Sequence, residues 1–417
     1  MSLAIQIANE PFSGFDRMLD KDPVQWSDAF GAWVVYGNAE ASQVATDSKR
    51  FGAASAYKDS KGDAWKLIAG KPPERLASRD LRYLDGAPWY KFRKMHEASV
   101  PYKYSGAESR PKALRDQVQA IVTDHLVKSK GKANIEAMQE WCMPVSILAN
   151  MGVLGVPAED YSKMRDWTYD GMFIVYRFPS DCNFWSPEAA DKANDAADSL
   201  IDYFGDLVAK RKAEPKGDFI SRLIAYREQH DKSITDFEIV QVTVGHLMGG
   251  CHDSNAGLLA EGLYLLLSSG AYQDVVSDPS LIPGAVEEII RFHPVVQYAP
   301  RVAMEDVVVG DKTIKKDQFC FLNLCAAQRD PRTYENAREF AIRREGASNG
   351  TLSFGAGEHS CTGPPLARMI SNVFVESVTQ TYPKLSLTQW PTNAYMSLRY
   401  QPRQDIVILE SLPLTLG

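Results

Sequence analysis

The chain has 417 residues, 45% of them hydrophobic and 10% aromatic, which is enough apolar mass for a large core. Its formal net charge is −7, with both signs mixed along the chain, which argues against nucleic-acid binding through a basic surface. No long apolar stretch lies between Met1 and Asp20, so no leader peptide, membrane-spanning helix or anchor is expected, and the protein is expected in the cytoplasm, off the membrane.

The first quarter mixes strand-like pieces, such as Ala32-Trp33-Val34-Val35-Tyr36, with short helical stretches. From about Pro111 to Ser268 helical periodicity dominates. Pro179 to Pro187 reads as a loop between two helices, and Phe178, Phe184 and Trp185 in and beside it suggest a cover over something apolar. Thr235-Asp236-Phe237-Glu238 is a capping box that opens the longest helix. That helix is expected to run to Ser268, about 33 residues and roughly 50 Å at 1.5 Å per residue. Gly249 and Gly250 sit in its middle, each at a cost of about 1 kcal/mol against alanine. Two adjacent glycines there point to a useful distortion or to the close approach of a flat ligand.

A short helix after Pro283 carries Glu287-Glu288-Ile289-Ile290-Arg291, and strands are expected at 307–309 and 319–324. Residues 326–350 read as coil, 364–382 as a final helix, and 396–409 as strands. No internal repeat or low-complexity linker divides the chain, so residues 1–417 are expected to form one domain, mainly α with small β-sheets.

The six cysteines are Cys142, Cys182, Cys251, Cys320, Cys325 and Cys361; none forms a C-x-x-C pair or a zinc-type spacing. Five read as small buried hydrophobes. Cys361 differs because it ends the segment Phe354-Gly355-Ala356-Gly357-Glu358-His359-Ser360-Cys361-Thr362-Gly363. Its three glycines allow a tight loop with positive φ, and Pro364 and Pro365 suit the first turn of the helix that follows. A cysteine at a helix N-terminus is favoured as the thiolate, a soft and strongly donating ligand for haem iron.

This loop matches F-x-x-G-x-H-x-C-x-G at every fixed position, and the chain resembles the cytochrome P450 family over nearly its whole length. The resemblance implies that family's fold, with a long central helix crossing the haem, and haem b as cofactor with Cys361 as axial ligand. Phe354, Gly355 and Gly363 then shape the loop, and Gly249 meets the haem face. Glu288 and Arg291 resemble the family's E-x-x-R ion pair, which ties its helix to the coil beside the haem, with Arg343 or Arg344 completing the network. Trp89 and Arg93 resemble the W-x-x-x-R helix, Arg301 the strand arginine, and His359 the position two before the cysteine; together they supply four donors to the haem propionates.

The long helix departs from the family at one place. Where the family has glycine-glycine-x-acid-threonine, this chain reads Gly249-Gly250-Cys251-His252-Asp253-Ser254-Asn255. His252 replaces the acid and Asp253 the alcohol, the two positions that deliver protons during oxygen activation in the family. Two readings stand: Asp253 delivers protons itself, tuned by His252, or Ser254 restores the alcohol by a local shift of register. His252 pointing elsewhere into the core is the structural alternative.

By the same resemblance, the pocket draws on Met172, Phe173 and Tyr176, on Gly245 and Met248 of the long helix, on Val295, Val296 and Tyr298, and on Tyr395 and Met396. These are mostly apolar, which suits a small hydrophobic substrate, terpenoid or aromatic. No flavin or nicotinamide domain is expected, so electrons come from an iron–sulfur ferredoxin and its reductase, docking where Arg93, Lys94 and Arg368 lie. The protein is expected to act as a monomer, using one atom of O2 to hydroxylate its substrate, or to O-dealkylate or epoxidise it. Peroxide-driven or isomerase-like haem chemistry, favoured by the altered acid–alcohol pair, and a haem protein that only binds ligand are the alternatives.

Overall fold

The computed structural model describes residues 11–28, 30–53, 85–100, 109–175, 187–250, 253–388, 408–409 and 411–417. In chain order the elements begin with α1 (Pro11–Lys21), β1 (Val24–Ser27), β2 (Ala32–Val35), α2 (Asn38–Thr46) and β3 (Phe51–Gly52). Helices α3 (Gly86–Ser99) and α4 (Ser109–Lys128), β4 (Asn134–Glu136), and helices α5 (Met143–Leu154), α6 (Tyr161–Val175), α7 (Pro187–Ala213) and α8 (Phe219–His230) follow. Next come α9 (Asp236–Gly250), α10 (Asp253–Ser269), α11 (Ala271–Ser277) and α12 (Ile282–Phe292). The chain ends with β5 (Tyr298–Ala303), β6 (Val307–Val309), β7 (Lys312–Ile314), β8 (Phe319–Asn323), α13 (Leu324–Ala327), α14 (Pro364–Thr381), β9 (Ser386–Leu387) and β10 (Pro413–Thr415).

The chain folds as two compact units. The first comprises Met1–Gly52, Gln119–Val145 and Asp253–Gly417. Its main sheet has the order β1-β2-β8-β5-β3, antiparallel except where β2 runs parallel to β8. Val24, Val35, Val44, Phe51, Ala303, Cys320 and Leu322 are buried in one cluster with residues of α2 and of the β6–β7 hairpin. A smaller sheet, β4-β10-β9, and helices α10, α12 and α14, which pack on one another, complete the unit. Helix α12 shows why the sequence folds so: Pro283 sits in the first turn, where its missing N–H costs nothing, and Ala285, Val286, Ile289 and Ile290 form a buried face.

The second unit comprises Ala53–Val118 and Ser146–His252. In it α6 packs on α7, α7 on α9, and α8 on both α3 and α9. The expected capping box opens α9: the Thr235 N–H donates to Glu238 Oε2 at 2.8 Å, and the Glu238 N–H donates to Thr235 Oγ1 at 3.1 Å. Of the span expected to run to Ser268, the structure describes helix on both sides of residues 251–252, as α9 up to Gly250 and α10 from Asp253. Cys251 and His252 lie outside the described residues, as do the expected 179–186 loop, Cys182 and residues 396–407 of the expected C-terminal strands. Among the described residues, no helix is long and apolar enough to cross a membrane.

Candidate active site

The cysteine loop is held at several points within the first unit. The Ser353 hydroxyl donates to the Ile290 carbonyl at 2.6 Å, and the Leu352 N–H donates to Gln328 Oε1 at 2.8 Å. The Cys361 N–H donates back to the Phe354 carbonyl at 2.8 Å, closing the loop on itself. Gly355 and Gly357 both have φ of +69°. A Cβ on Gly357 would lie 2.6 Å from the Ala45 carbonyl oxygen, so α2 leaves no room for a side chain there. The loop's 3-10 turn, Gly357–His359, carries the half-buried His359. Cys361 is exposed, and its Sγ accepts the Gly363 N–H at 3.2 Å at the head of the 18-residue α14. An outward thiol that receives an amide at a helix N-terminus is a donor suited to a soft metal centre. The loop therefore fits a thiolate-ligated haem.

Beside it, the Glu288–Arg291 pair is fully buried, both side chains being 0% exposed. Arg291 Nε and Nη2 donate to Glu288 Oε2 and Oε1 at 2.7 and 2.8 Å, a bidentate pair. The other three Arg291 donors go to the carbonyls of Gln328 (2.6 Å), Ala337 (2.9 Å) and Glu339 (3.1 Å). Every guanidinium N–H is thus used, as a buried charge requires. Glu288 also accepts the Ala341 N–H at 2.8 Å and Arg344 Nε at 3.1 Å. Arg344 rather than Arg343 completes the network. Arg368 of α14 pairs with Glu287 (Nη2 to Oε2, 2.9 Å) and lies over the Phe354 ring, 5.3 Å from its centroid. The two acids of the motif thus anchor different partners, one in the coil and one on the helix that Cys361 heads.

Arg301 lies on β5, opposite Cys320 of β8; it is buried, and its Nη1 donates to the Pro300 carbonyl at 2.8 Å. Val295 is buried, and Val296 packs on the sheet core. The Tyr298 ring is packed edge-on against Phe15 at 6.2 Å and tilted against Phe30 at 5.9 Å. Ser254 is half-buried in the first turn of α10. For Asp253, at the start of that helix, the backbone alone is described.

In the second unit Trp89 is buried on α3, and Arg93 lies over its ring with 5.6 Å to the centroid. Arg93 Nε also donates to Glu97 at 2.6 Å. Lys94 is exposed. Lys91 donates to Glu238 at 2.8 Å, tying α3 to the first turn of α9. On α9, apart from the helix's own backbone and the adjoining residues, no described atom lies within 4 Å of where a Cβ on Gly245 would stand. For Met172 and Phe173 on α6, and Met248 and Gly249 on α9, the backbone alone is described. Tyr176, His252, Tyr395 and Met396 lie outside the described residues.

Two buried polar pairs escape sequence reasoning. His96 of α3 and His246 of α9 meet Nε2 to Nδ1 at 2.7 Å, and burial pushes His246 down to about 4. Glu261 of α10 stands 3.9 Å from His293, at the C-terminal end of α12. The one sequence signal for the latter is an acid inside the apolar run Leu258-Leu259-Ala260-Glu261-Gly262-Leu263.

A family model described as Cytochrome P450 matches residues 73–389. Cytochrome P450 CYP107DY1 of Priestia megaterium is 30% identical over 66% of this chain and 64% of its own length, and the Biotin biosynthesis cytochrome P450 of Bacillus subtilis is 26% identical over 98% and 97%. The 6-deoxyerythronolide B hydroxylase of Saccharopolyspora erythraea is 30% identical over 67% of this chain and 66% of its own. Of solved structures, P450BioI with an acyl carrier protein carrying hexadec-9Z-enoic acid superposes with a TM-score of 0.85 at 24% identity, covering 100% of both chains. CalO2 superposes with a TM-score of 0.87 at 24% identity, covering 99% of this chain and 97% of its own. The chain therefore belongs to the cytochrome P450 family of monooxygenases, whose cofactor is haem b held by a cysteine thiolate.

Proposed function

We propose that the chain is a monooxygenase that hydroxylates a small hydrophobic substrate with O2 and electrons from a ferredoxin, with residues 1–417 serving one haem site. The observation that carries this reading is the exposed Cys361 Sγ, receiving the Gly363 amide on a loop closed by Gly355 and Gly357. The family match, residues 73–389, takes in segments of both compact units. Bound haem supplies the iron at which O2 is reductively activated, one atom entering the substrate and the other leaving as water.

The residues divide the remaining work. Cys361 is the axial thiolate, its charge stabilised by the Gly363 N–H and the α14 N-terminus. Trp89, Arg93, Arg301 and His359 are the donors for the propionates. Asp253 holds and passes the proton, with His252 beside it in sequence, and Ser254 is the alternative carrier. The apolar positions of the pocket exclude water and orient the substrate. Action in the cytoplasm is part of the same reading; among the described residues, no helix is long and apolar enough to cross a membrane.

A second reading, peroxide-driven turnover, is favoured by one observation: Asp253 stands where the family carries an alcohol. Three experiments test these readings. A ferric absorption spectrum is titrated with terpenoids, aromatics and fatty acids; a compound that shifts the haem from low to high spin identifies the substrate class. Cys361→His should abolish the thiolate signature of the reduced, CO-bound protein, and a retained signature would remove Cys361 as ligand. Turnover with peroxide alone at the ferredoxin-supported rate would favour the second reading.

A further inference from the structure

The core of the first unit contains polar groups that the proposed chemistry does not use. Both carboxyl oxygens of Glu261 are without a hydrogen-bond partner among the described residues, and the His293 ring finds none there beyond its own backbone. Glu261 stands near the middle of α10, His293 directly follows α12, and both side chains are 0% exposed. Their closest atoms, Glu261 Oε1 and His293 Nε2, are 3.9 Å apart. That is too long for a direct hydrogen bond, so any bond between the two groups runs through a third partner such as a water. Buried polar atoms are nearly always satisfied, and a bare carboxyl in a core is costly.

The neighbours select the charge state. The Phe12 ring lies edge-on to the imidazole at 5.3 Å. One turn before Glu261, Gly257 is pressed against Ile408 and Val295, and Gly262 faces Ile289. Arg329 is the charged group that bears on His293; its Nε and Nη2 donate to Asp16 at 3.0 Å, it is stacked over Phe12 and Phe292 at 4.7 Å, and its buried Nη1 has no hydrogen-bond partner among the described residues. Its positive charge opposes protonation of His293. The Cys325 thiol, which also feels Glu261, is pushed up to about 12, chiefly by burial, and stays neutral.

We propose that Glu261 and His293 form an internal proton site, a neutral carboxylic acid joined to a neutral imidazole through bound water, buried between α10 and α12. A neutral pair needs no counter-ion, and one water gives each partner a hydrogen bond; a water so placed needs two to four polar contacts. Burial pushes Glu261 up to about 8 and His293 down to about 4, so both are uncharged at neutral pH. The site lies eight residues along α10 from Asp253, about 12 Å at 1.5 Å per residue. It therefore stores a proton apart from the one that Asp253 is proposed to pass, and it does not depend on that role.

The test is infrared spectroscopy of the haem-loaded protein, with Glu261→Gln as the difference partner. The carbonyl stretch of one protonated carboxylic acid per chain is expected at about pH 6, absent from Glu261→Gln and lost from the wild type as the pH is raised to about 10. The difference removes every other carboxyl, those of the haem included. Absence of the acid band at about pH 6, with ring-nitrogen NMR showing a His293 cation, would mean an ion pair and overturn the proposal. If Glu261→Gln does not fold, His293→Asn replaces it: the acid band must move, because its water has lost the imidazole. A band that stays in place overturns the proposal.

Discussion

Arg291→Ala removes the guanidinium at the centre of the buried network. Five hydrogen bonds disappear, two of them to Glu288. The Glu339 carbonyl keeps Arg344 Nη2 at 2.9 Å, whereas Gln328 and Ala337 lose the donor described for their carbonyls. Breaking a buried pair costs about 3–5 kcal/mol. Each orphaned carbonyl adds about 1–3 kcal/mol, partly overlapping that figure. The expected total, about 4–7 kcal/mol, is a large part of the roughly 5–15 kcal/mol that stabilises a domain. Arg344→Ala leaves Glu288 with both Arg291 bonds and the Ala341 N–H, so about 1–3 kcal/mol is expected. Arg291→Lys should lie between, because an ammonium has three donors and no fork. Urea unfolding of the haem-loaded proteins, followed by tryptophan fluorescence, gives the order. An Arg291→Ala protein within about 1 kcal/mol of wild type, or more stable than Arg344→Ala, would refute the reasoning.

Stability should also depend on pH in two directions. Glu261 is raised from 4.5 to about 8 by burial, so its contribution is full below about pH 4.5 and is lost as the pH rises through about 8. His246 and His293 are lowered from 6.5 to about 4, so theirs is present above about pH 6.5 and lost as the pH falls through about 4. Urea midpoints against pH should show a maximum between those limits, and Glu261→Gln should flatten the alkaline side; an unchanged alkaline slope would be contrary. Gly357→Val places a Cβ at φ +69° and 2.6 Å from the Ala45 carbonyl, and should cost about 1–3 kcal/mol and speed haem loss; a neutral effect on both would show that the loop can shift. Asp253→Ala should lower product formed per reducing equivalent and release more peroxide, and unchanged coupling would remove Asp253 from proton handling. Lys94→Glu should slow reduction by ferredoxin in a salt-dependent way, and equal, salt-independent rates in both proteins would place the docking face elsewhere.

What could be read from the chain alone is what local chemistry encodes. The Gly355 and Gly357 conformations, the Thr235–Glu238 box and the three-residue spacing of Glu288 and Arg291 each depend on residues a few positions apart. The burial of three further cysteines also follows from ordinary side-chain preference, as Cys142, Cys320 and Cys325 show. Long-range partners are a different matter. Arg343 and Arg344 are equivalent by composition, and only the packing of the coil on α12 directs Arg344 to Glu288. Arg368 looks like a surface cation in the sequence, yet it closes on Glu287 and Phe354. Glu261 and His293 carry no motif; they become a pair because α10 and α12 pack together and exclude solvent from both. Glycines, caps and one-turn spacings act through the backbone near them, so the sequence displays them directly. Burial and charge pairing depend on which distant segments meet, and that only the tertiary structure decides.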